Sequence, residues 1–358
     1  MRAKIAAIEY FLPQAVLSNT ELALEFPDWS VEKIESKTGI TERHIAAEGE
    51  CSSDLAFEAA RKLFASGVCS PSQIDYILLC TQSPDYWLPT TACLLQHRLN
   101  VPQSAGALDF NLGCSGYIYG LGIAQGLIET AQANNVLLIT AETYSKFLHR
   151  RDKSVSTLFG DAAAATLITG IENAGAFIGP HVLGTDGSGA GNLIVQTGGM
   201  RNPRTPESGR LQEDDSGNIR CADNLYMNGA EIFNFALRVV PKTVHTLLER
   251  AGKKLDDIDL FVFHQANQFM LDHLRKRLKI PQERFSVAMR HCGNTVSSSI
   301  PIALKDSVEK GILHPGNVVM LVGFGVGYSW GATLIRWDPS NRGDAKATDC
   351  EIAALKMG

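Results

Sequence analysis

The chain lacks any apolar run approaching the ~18–20 residues of a membrane-spanning helix, so no part of it is read as crossing a membrane. An excess of one charge is also missing. Lys and Arg total 33 against 38 Asp and Glu, a net charge of −5, which lacks the basic excess that nucleic-acid binding uses. Eight cysteines stand at 51, 69, 80, 93, 114, 221, 292 and 350, and no two are two to four residues apart. That spacing excludes zinc-type and redox C-x-x-C pairs, so neither a metal nor a redox cofactor is expected. In a chain this long the cysteines do not form a disulfide framework, and they read as mostly buried thiols in a reducing cytoplasm. The N-terminal MRAKIAAIEYFLP is broken by tyrosine and proline before a signal core can form, and reads as a first strand.

What is present is an ordinary globular composition, 45% hydrophobic and 20% charged over 358 residues, for which two domains is the prior. The two halves echo each other. Residues 98–103 read RLNVPQ and 277–282 read RLKIPQ; 16 residues past Arg98 is Cys114, and 17 past Arg277 is Asn294. The preceding apolar runs end at Cys80 and at His264, and AATLI at 164–168 echoes GATLI at 331–335. The division is 1–170 for the first half, 171–340 for the second and 341–358 for a tail. The stretch 184–224, rich in Gly, Arg, Asp, Ser and Pro, reads as a long surface excursion.

Strand signals fall at 4–10, 75–81, 106–110, 135–140, 162–168, 176–183, 258–263, 317–322 and 331–336. Helical periodicity covers 52–66, 91–99, 115–130, 229–251, 267–279 and 296–310. Strands alternating with helices predict an α/β fold of parallel β–α–β units.

Three residues carry candidate chemistry. Cys114, in NLGCSG, lies between a strand and a helix, where unpaired N–H groups and the helix dipole favour thiolate. Taken alone, it is more often a buried structural cysteine. His264 ends a buried strand, where α/β sheets build sites; its bland alternative is a satisfied core histidine. Asn294, in Gly-Asn-Thr, could be a turn residue. The duplication is what sets all three at matching strand ends. The loop Gly323-Phe324-Gly325-Val326-Gly327 opens no helix, so neither a P-loop nor a dinucleotide fingerprint fits. It is placed to bring backbone N–H groups near the cysteine, as an oxyanion hole requires.

These residues sit in motifs that resemble one family. TGITERHIAA (38–47), LGCSG (112–116), FGDAAAA (159–165), HQAN (264–267), GNT (293–295) and GFGVGYSWG (323–331) make the chain, from residue 3 to about 337, similar to β-ketoacyl-acyl-carrier-protein synthase III, a thiolase-like condensing enzyme. The resemblance implies a thiolase-like fold of duplicated βαβ halves in five layers, αβαβα. It also implies a homodimer and a decarboxylating condensation of an acyl thioester with malonyl-acyl-carrier protein. Coenzyme A or phosphopantetheine thioesters would then be substrates rather than cofactors.

Cys114 would carry the acyl group, while His264 and Asn294 would hydrogen-bond the malonyl thioester carbonyl. The N–H groups of Cys114 and Val326, in the loop with Gly325, would bind the acyl oxyanion, and Phe324 would separate the two steps. Leu88 would reach across the dimer into the partner's acyl pocket, where a leucine in place of the family's frequent phenylalanine suggests a larger or branched starter.

Thioester and carrier binding would fall to Lys33, Lys37, Lys153, Asn267, Phe269, Arg275 and Lys276, with Arg277 beside them. Several of these depart from the family pattern. Lys33 stands at a tryptophan position, with Trp29 one turn earlier; Lys37 and Lys153 stand for arginines, losing the bidentate fork; and Phe269 stands for another arginine, losing charge as well. The departures point to a carrier-bound or unusual acyl donor. Competing readings are an acyltransferase with an alcohol or amine acceptor, a plant-type polyketide synthase, a cysteine hydrolase and a non-catalytic subunit. The last usually lacks the cysteine, and plant-type enzymes carry proline where Val326 stands.

Overall fold

The computed structural model describes residues 1–172, 175 and 177–339; the tail at 341–358 lies outside the described residues. The strands are β1 (Arg2–Phe11), β2 (Ala15–Ser18), β3 (Glu42–Ile45), β4 (Tyr76–Cys80), β5 (Gly106–Phe110), β6 (Asn135–Glu142), β7 (Ala162–Ile171) and β8 (Ile178–Thr185). Four two-residue strands follow, β9 (Leu193–Ile194), β10 (Gln212–Glu213), β11 (Ile219–Arg220) and β12 (Tyr226–Met227), before β13 (Leu260–Phe263), β14 (Val318–Gly325) and β15 (Ser329–Arg336). The helices are α1 (Asn19–Glu25), α2 (Val31–Thr38), α3 (Ser52–Ala65), α4 (Thr91–Arg98), α5 (Gly116–Glu129), α6 (Lys153–Ser156), α7 (Gly229–Ala251), α8 (Gln268–Arg277) and α9 (Ser299–Glu309).

Two sheets organise the molecule. The first has the order β1-β7-β6-β4-β5 and the second β13-β14-β15-β8. Helices α5 and α9 lie between them, α5 touching β6, β1, β14 and β8, and α9 touching β1 and β13. Outside the first sheet pack α3 and α4; outside the second pack α7 and α8. This is the expected five-layer αβαβα order. The central helices are largely apolar, since they are covered on both sides: Tyr117, Ile118, Leu121 and Ala124 of α5 and Ile300, Ala303 and Leu304 of α9 are all buried.

The sheets are not wholly parallel, as the alternation had predicted. β4 pairs in parallel with β5 and β6, and β13 with β14, but β7 runs antiparallel to β1 and β6, and β15 antiparallel to β14 and β8. Strand direction is set by the connection, and β14 reaches β15 through a short turn with no crossover helix.

The echo in sequence is an echo in backbone. Asn100 and Lys279, at the same place in RLNVPQ and RLKIPQ, both adopt left-handed conformations, with φ of 55° and 57°. Each lets the following residue close its helix end: Val101 N–H donates to Gln96 O and Ile280 N–H to Arg275 O, both at 3.0 Å. Of the stretch 184–224, Gly184 and Thr185 are the end of β8, paired with Trp330 and Ser329 of β15; the rest carries the short strands β9, β10 and β11.

Candidate active site

After β5 the chain turns through NLGC, Ser115 takes the N-cap position, and α5 begins at Gly116. The turn is held by Gly116 N–H donating to Gly113 O at 2.7 Å. Cys114 therefore sits just before the start of a central helix, 5% exposed. It is pressed against the end of β14. A Cβ on Gly325 would lie 2.9 Å from the Cys114 Sγ, and one on Gly323 would lie 2.7 Å from the Cys114 carbonyl oxygen. Only glycine lets strand and turn approach this closely. Burial pushes the thiol up to about 12, with the Glu142 charge as the next cause. The helix-end effect expected to favour thiolate is outweighed by the cost of placing charge in an enclosed site.

His264 follows β13, its N–H donating to Val322 O at 2.8 Å. The ring is enclosed and burial drives it down to about 3, so it is neutral at ordinary pH. Ser299 Oγ, at the start of α9, lies 2.8 Å from Nδ1. Among the described residues Nε2 has no hydrogen-bond partner, which leaves that nitrogen to face the site. The Phe324 ring stands edge-on to the imidazole, with centroids 5.6 Å apart.

Asn294 is fixed at both ends of its peptide unit: its N–H donates to Leu158 O at 2.8 Å, and its carbonyl accepts from Gly160 N–H at 3.1 Å. Its side-chain oxygen accepts from Val296 N–H at 3.0 Å, so the amide NH2 turns toward the His264 loop, 3.4 Å from Ala266 O. Val296 carries a φ of 52°, uncommon for a buried β-branched residue.

The three candidates are thus joined by a short path. Cys114 lies on Gly325, Phe324 lies on His264, and His264 touches α9, whose approach holds Asn294. Val326 packs on the same turn, its Cγ1 2.8 Å from where a Gly113 Cβ would be. Among the described residues no group of three or more His, Cys, Asp or Glu is arranged to hold a metal ion. Two surface clefts, one beside Arg220 and one beside Cys292, do not include these three residues.

The remaining candidates lie apart. Lys33 and Lys37 both extend over the Trp29 ring, 5.5 and 5.6 Å from its centroid, and Lys33 also donates to Asp28 O. Lys153 donates to Ser216 O in the excursion. Asn267 is occupied as the N-cap of α8, accepting from Met270 N–H at 2.8 Å. Phe269, half exposed, forms an aromatic group with Phe233 and His273. Lys276 is exposed, but Arg275 is turned inward, donating to Ile280 O and largely covered, so it is not the free surface cation expected. Leu88 is 81% exposed, beside the exposed Tyr86 and Trp87.

Sequence reasoning missed Glu142, Gln82, Ser297 and Ser299. The available signals were a carboxylate ending the apolar strand NVLLITAE and the hydroxyl run Ser297-Ser298-Ser299 at the start of a helix.

Family models, curated relatives and solved structures all resemble this chain. Residues 108–187 match the family model described as 3-oxoacyl-[acyl-carrier-protein (ACP)] synthase III, and residues 248–337 match its C-terminal model. The β-ketoacyl-[acyl-carrier-protein] synthase III of Caldanaerobacter subterraneus subsp. tengcongensis is 36% identical over 91% of this chain and 95% of its own. The one from Clostridium perfringens (strain 13 / Type A) is 38% identical over 93% and 99%. A crystal structure of a 3-oxoacyl-(acyl-carrier-protein) synthase III superposes with a TM-score of 0.93 at 56% identity, covering 94% of this chain and 100% of that one. The Burkholderia xenovorans LB400 3-oxoacyl-(acyl-carrier protein) synthase gives a TM-score of 0.87 at 36% identity, covering 95% of both chains.

Proposed function

The chain belongs to the 3-oxoacyl-[acyl-carrier-protein] synthase III family, and we propose that it performs a decarboxylating condensation in fatty-acid biosynthesis. Cys114 Sγ attacks an acyl thioester; the new S–C bond replaces the bond to the donor sulfur, which leaves carrying the thiol proton. Malonyl-acyl-carrier protein then loses carbon dioxide, and the electrons of the broken C–C bond become an enolate. His264 and Asn294 donate hydrogen bonds to the thioester oxygen as its negative charge grows. The enolate carbon bonds to the acyl carbon, Cys114 sulfur departs as thiolate and takes a proton from solvent, and a 3-oxoacyl thioester is released.

The observation that carries this reading is an enclosed, neutral imidazole beside an asparagine amide and a buried cysteine. Neutral donors favour an oxygen whose charge appears only in the transition state, and losing one typically costs ~3–4 kcal/mol. The test is a purified reaction with an acyl donor and malonyl-acyl-carrier protein. The 3-oxoacyl product and carbon dioxide are expected to form together, and both to disappear in Cys114→Ala. Acyl transfer to an alcohol or amine without carbon dioxide would overturn the assignment.

Three finer points belong to the same reading. The acyl donor is carrier-bound or an unusual thioester: Lys33 and Lys37 are engaged with Trp29, and Phe269 offers no charge to a nucleotide phosphate. Acylation of Cys114 by acetyl-coenzyme A as fast as by any carrier-bound acyl group would refute this. The active form is a homodimer, a reading supported by the unpaired edge of β5 and the exposed Tyr86, Trp87 and Leu88. The protein works in a reducing cytoplasm: the described cysteines are free thiols, and no helix among the described residues is long and apolar enough to cross a membrane.

A further inference from the structure

The duplication makes Gly325 and Glu142 equivalent. With AATLI on GATLI, the pair Glu142–Ala162 at the end of β6 and β7 corresponds to Gly325–Ser329 at the end of β14 and β15. Each strand end meets the turn that opens one central helix. Gly325 leaves space, and the Cys114 turn before α5 fills it. Glu142 instead reaches out to the turn before α9: its Oε1 accepts from Ser297 Oγ at 2.7 Å. One copy of the position is emptied for a nucleophile, while the other holds a fully buried carboxyl group.

The other carboxyl oxygen accepts from Gln82 N–H at 3.0 Å and lies 3.3 Å from Ser83 Oγ. Gln82 is itself locked, accepting from Tyr144 OH at 2.6 Å and donating to Asn111 Oδ1 at 3.1 Å. Its side-chain oxygen would touch a Cβ on Gly113, 2.6 Å away, so Gln82 walls the turn that carries Cys114. On the opposite side, Ser297 is the residue after Val296, whose left-handed backbone aims its N–H at Asn294 Oδ1. A β-branched residue stays in that region only where its surroundings hold it. The holding contacts are Ser297 on Glu142 and Ser298 on Thr140.

We infer that Glu142 is a positioning residue for the proposed reaction, clamping the Val296–Ser297 turn so that the Asn294 amide faces the thioester, and through Gln82 bracing the Cys114 turn. It touches no reacting atom in this scheme. Titratable neighbours around it are Cys80 on β4, Cys114, Tyr144 and Asp161. Burial pushes the carboxyl up to about 8, so it is proton-bearing near neutrality, and a charge appears beside Cys114 only above that.

The inference rests on the condensing reading, and the experiment separates the two. Full-length wild-type, Glu142→Ala, Glu142→Gln and Ser297→Ala proteins are compared in two half-reactions: acylation of Cys114 by an acyl-coenzyme A and an acyl-carrier thioester, followed by intact mass, and carbon dioxide release from malonyl-acyl-carrier protein. Glu142→Ala should lower kcat for carbon dioxide release roughly 10–100-fold, the range a small misplacement costs, with little change in KM. Glu142→Gln should recover much of that loss and remove an alkaline fall in rate near pH 8. Ser297→Ala should slow carbon dioxide release but not acylation, which decides the matter if Glu142→Ala does not fold. A folded Glu142→Ala with wild-type rates in both half-reactions, or a Ser297→Ala protein slowed equally in both, overturns the inference. A wild-type protein that releases no carbon dioxide overturns the condensing reading and this inference with it.

Discussion

Two buried groups at the site carry opposite consequences for pH. His264 is lowered from 6.5 to about 3 by burial, and Glu142 is raised from 4.5 to about 8 by the same cause. For His264 the unfolded chain takes up a proton that the folded one refuses, so its stabilisation holds above pH 6.5 and is lost as pH falls toward 3. For Glu142 the folded chain keeps a proton the unfolded one loses, so its stabilisation holds below pH 4.5 and is lost as pH rises through 8. Between 4.5 and 6.5 the two slopes oppose each other. Thermal unfolding followed against pH should therefore show Glu142→Gln with a flatter alkaline side than the wild type; an unchanged alkaline slope counts against a neutral buried Glu142. Gly325 gives a second prediction of the same size of object. A methyl group there lies 2.9 Å from Sγ, so Gly325→Ala should slow Cys114 acylation on the order of 100-fold and slow carbon dioxide release less. Intact-mass acylation at the wild-type rate in that variant would show that the strand end does not confine the thiol.

Among the elements, the segments that hold the Asn294 turn from outside are the ones the sequence announced least. Helix α6 and β3 were not anticipated: α6 has only four residues, too few for a periodic signal, and β3 draws its partner from β2. Yet Arg43 of β3 runs fully buried to Thr157 O and Asn19 Oδ1, with no carboxylate ion pair among the described residues. Its stem packs beside Gly293. A buried arginine cannot be read from TGITERHI, because the motif gives charge but not exposure. Arg43→Ala should cost about 3–5 kcal/mol, from the cavity and the unsatisfied acceptors together, read as a lower urea midpoint at unchanged m-value. The long strands and helices were legible because each carries a sustained apolar period; strand direction was not, because β7 and β15 have the same apolar pattern in either sense. The 184–224 excursion was seen only as a gap in pattern, but it has its own anchor. Arg220 of β11 reaches the fully buried Asp152 at 3.0 Å and Asp214 at 2.9 Å. Arg220→Ala strands a buried carboxylate, a change that typically costs 3–5 kcal/mol, and should expose residues 212–220 to proteolysis well before the sheets unfold. Equal protease resistance in the two proteins would mean that the pair does not secure the loop.

At the scale of the whole molecule, the duplication explains why Cys114 and Asn294 could be paired from sequence while their supports could not. Both precede central helices that begin at matching places, so RLNVPQ and RLKIPQ locate them by counting. Glu142 and Gly325 are equally equivalent, but glutamate and glycine share no resemblance, and symmetry hides a position at which the two halves have diverged. Divergence also marks the outer edges. In the second half, among the described residues, an isolated bridge between Phe261 and Phe285 stands where β5 stands in the first. The first sheet thus ends in β5, five residues long and paired among the described residues with β4 alone, with Leu108 41% exposed on it, and an exposed apolar edge of this kind invites pairing with another chain. Two copies joined along β5 would cover Leu108 and bring each exposed Leu88 toward the other subunit. Leu108→Asp should then turn a particle of twice 38.8 kDa into one of single mass by light scattering, with loss of condensation and a changed acyl-chain preference at protein concentrations that restore partial pairing. A wild-type protein that is monomeric and fully active, or a monomeric Leu108→Asp protein with the acyl preference of the wild type, would remove both the β5 interface and the role of Leu88 in the partner's pocket.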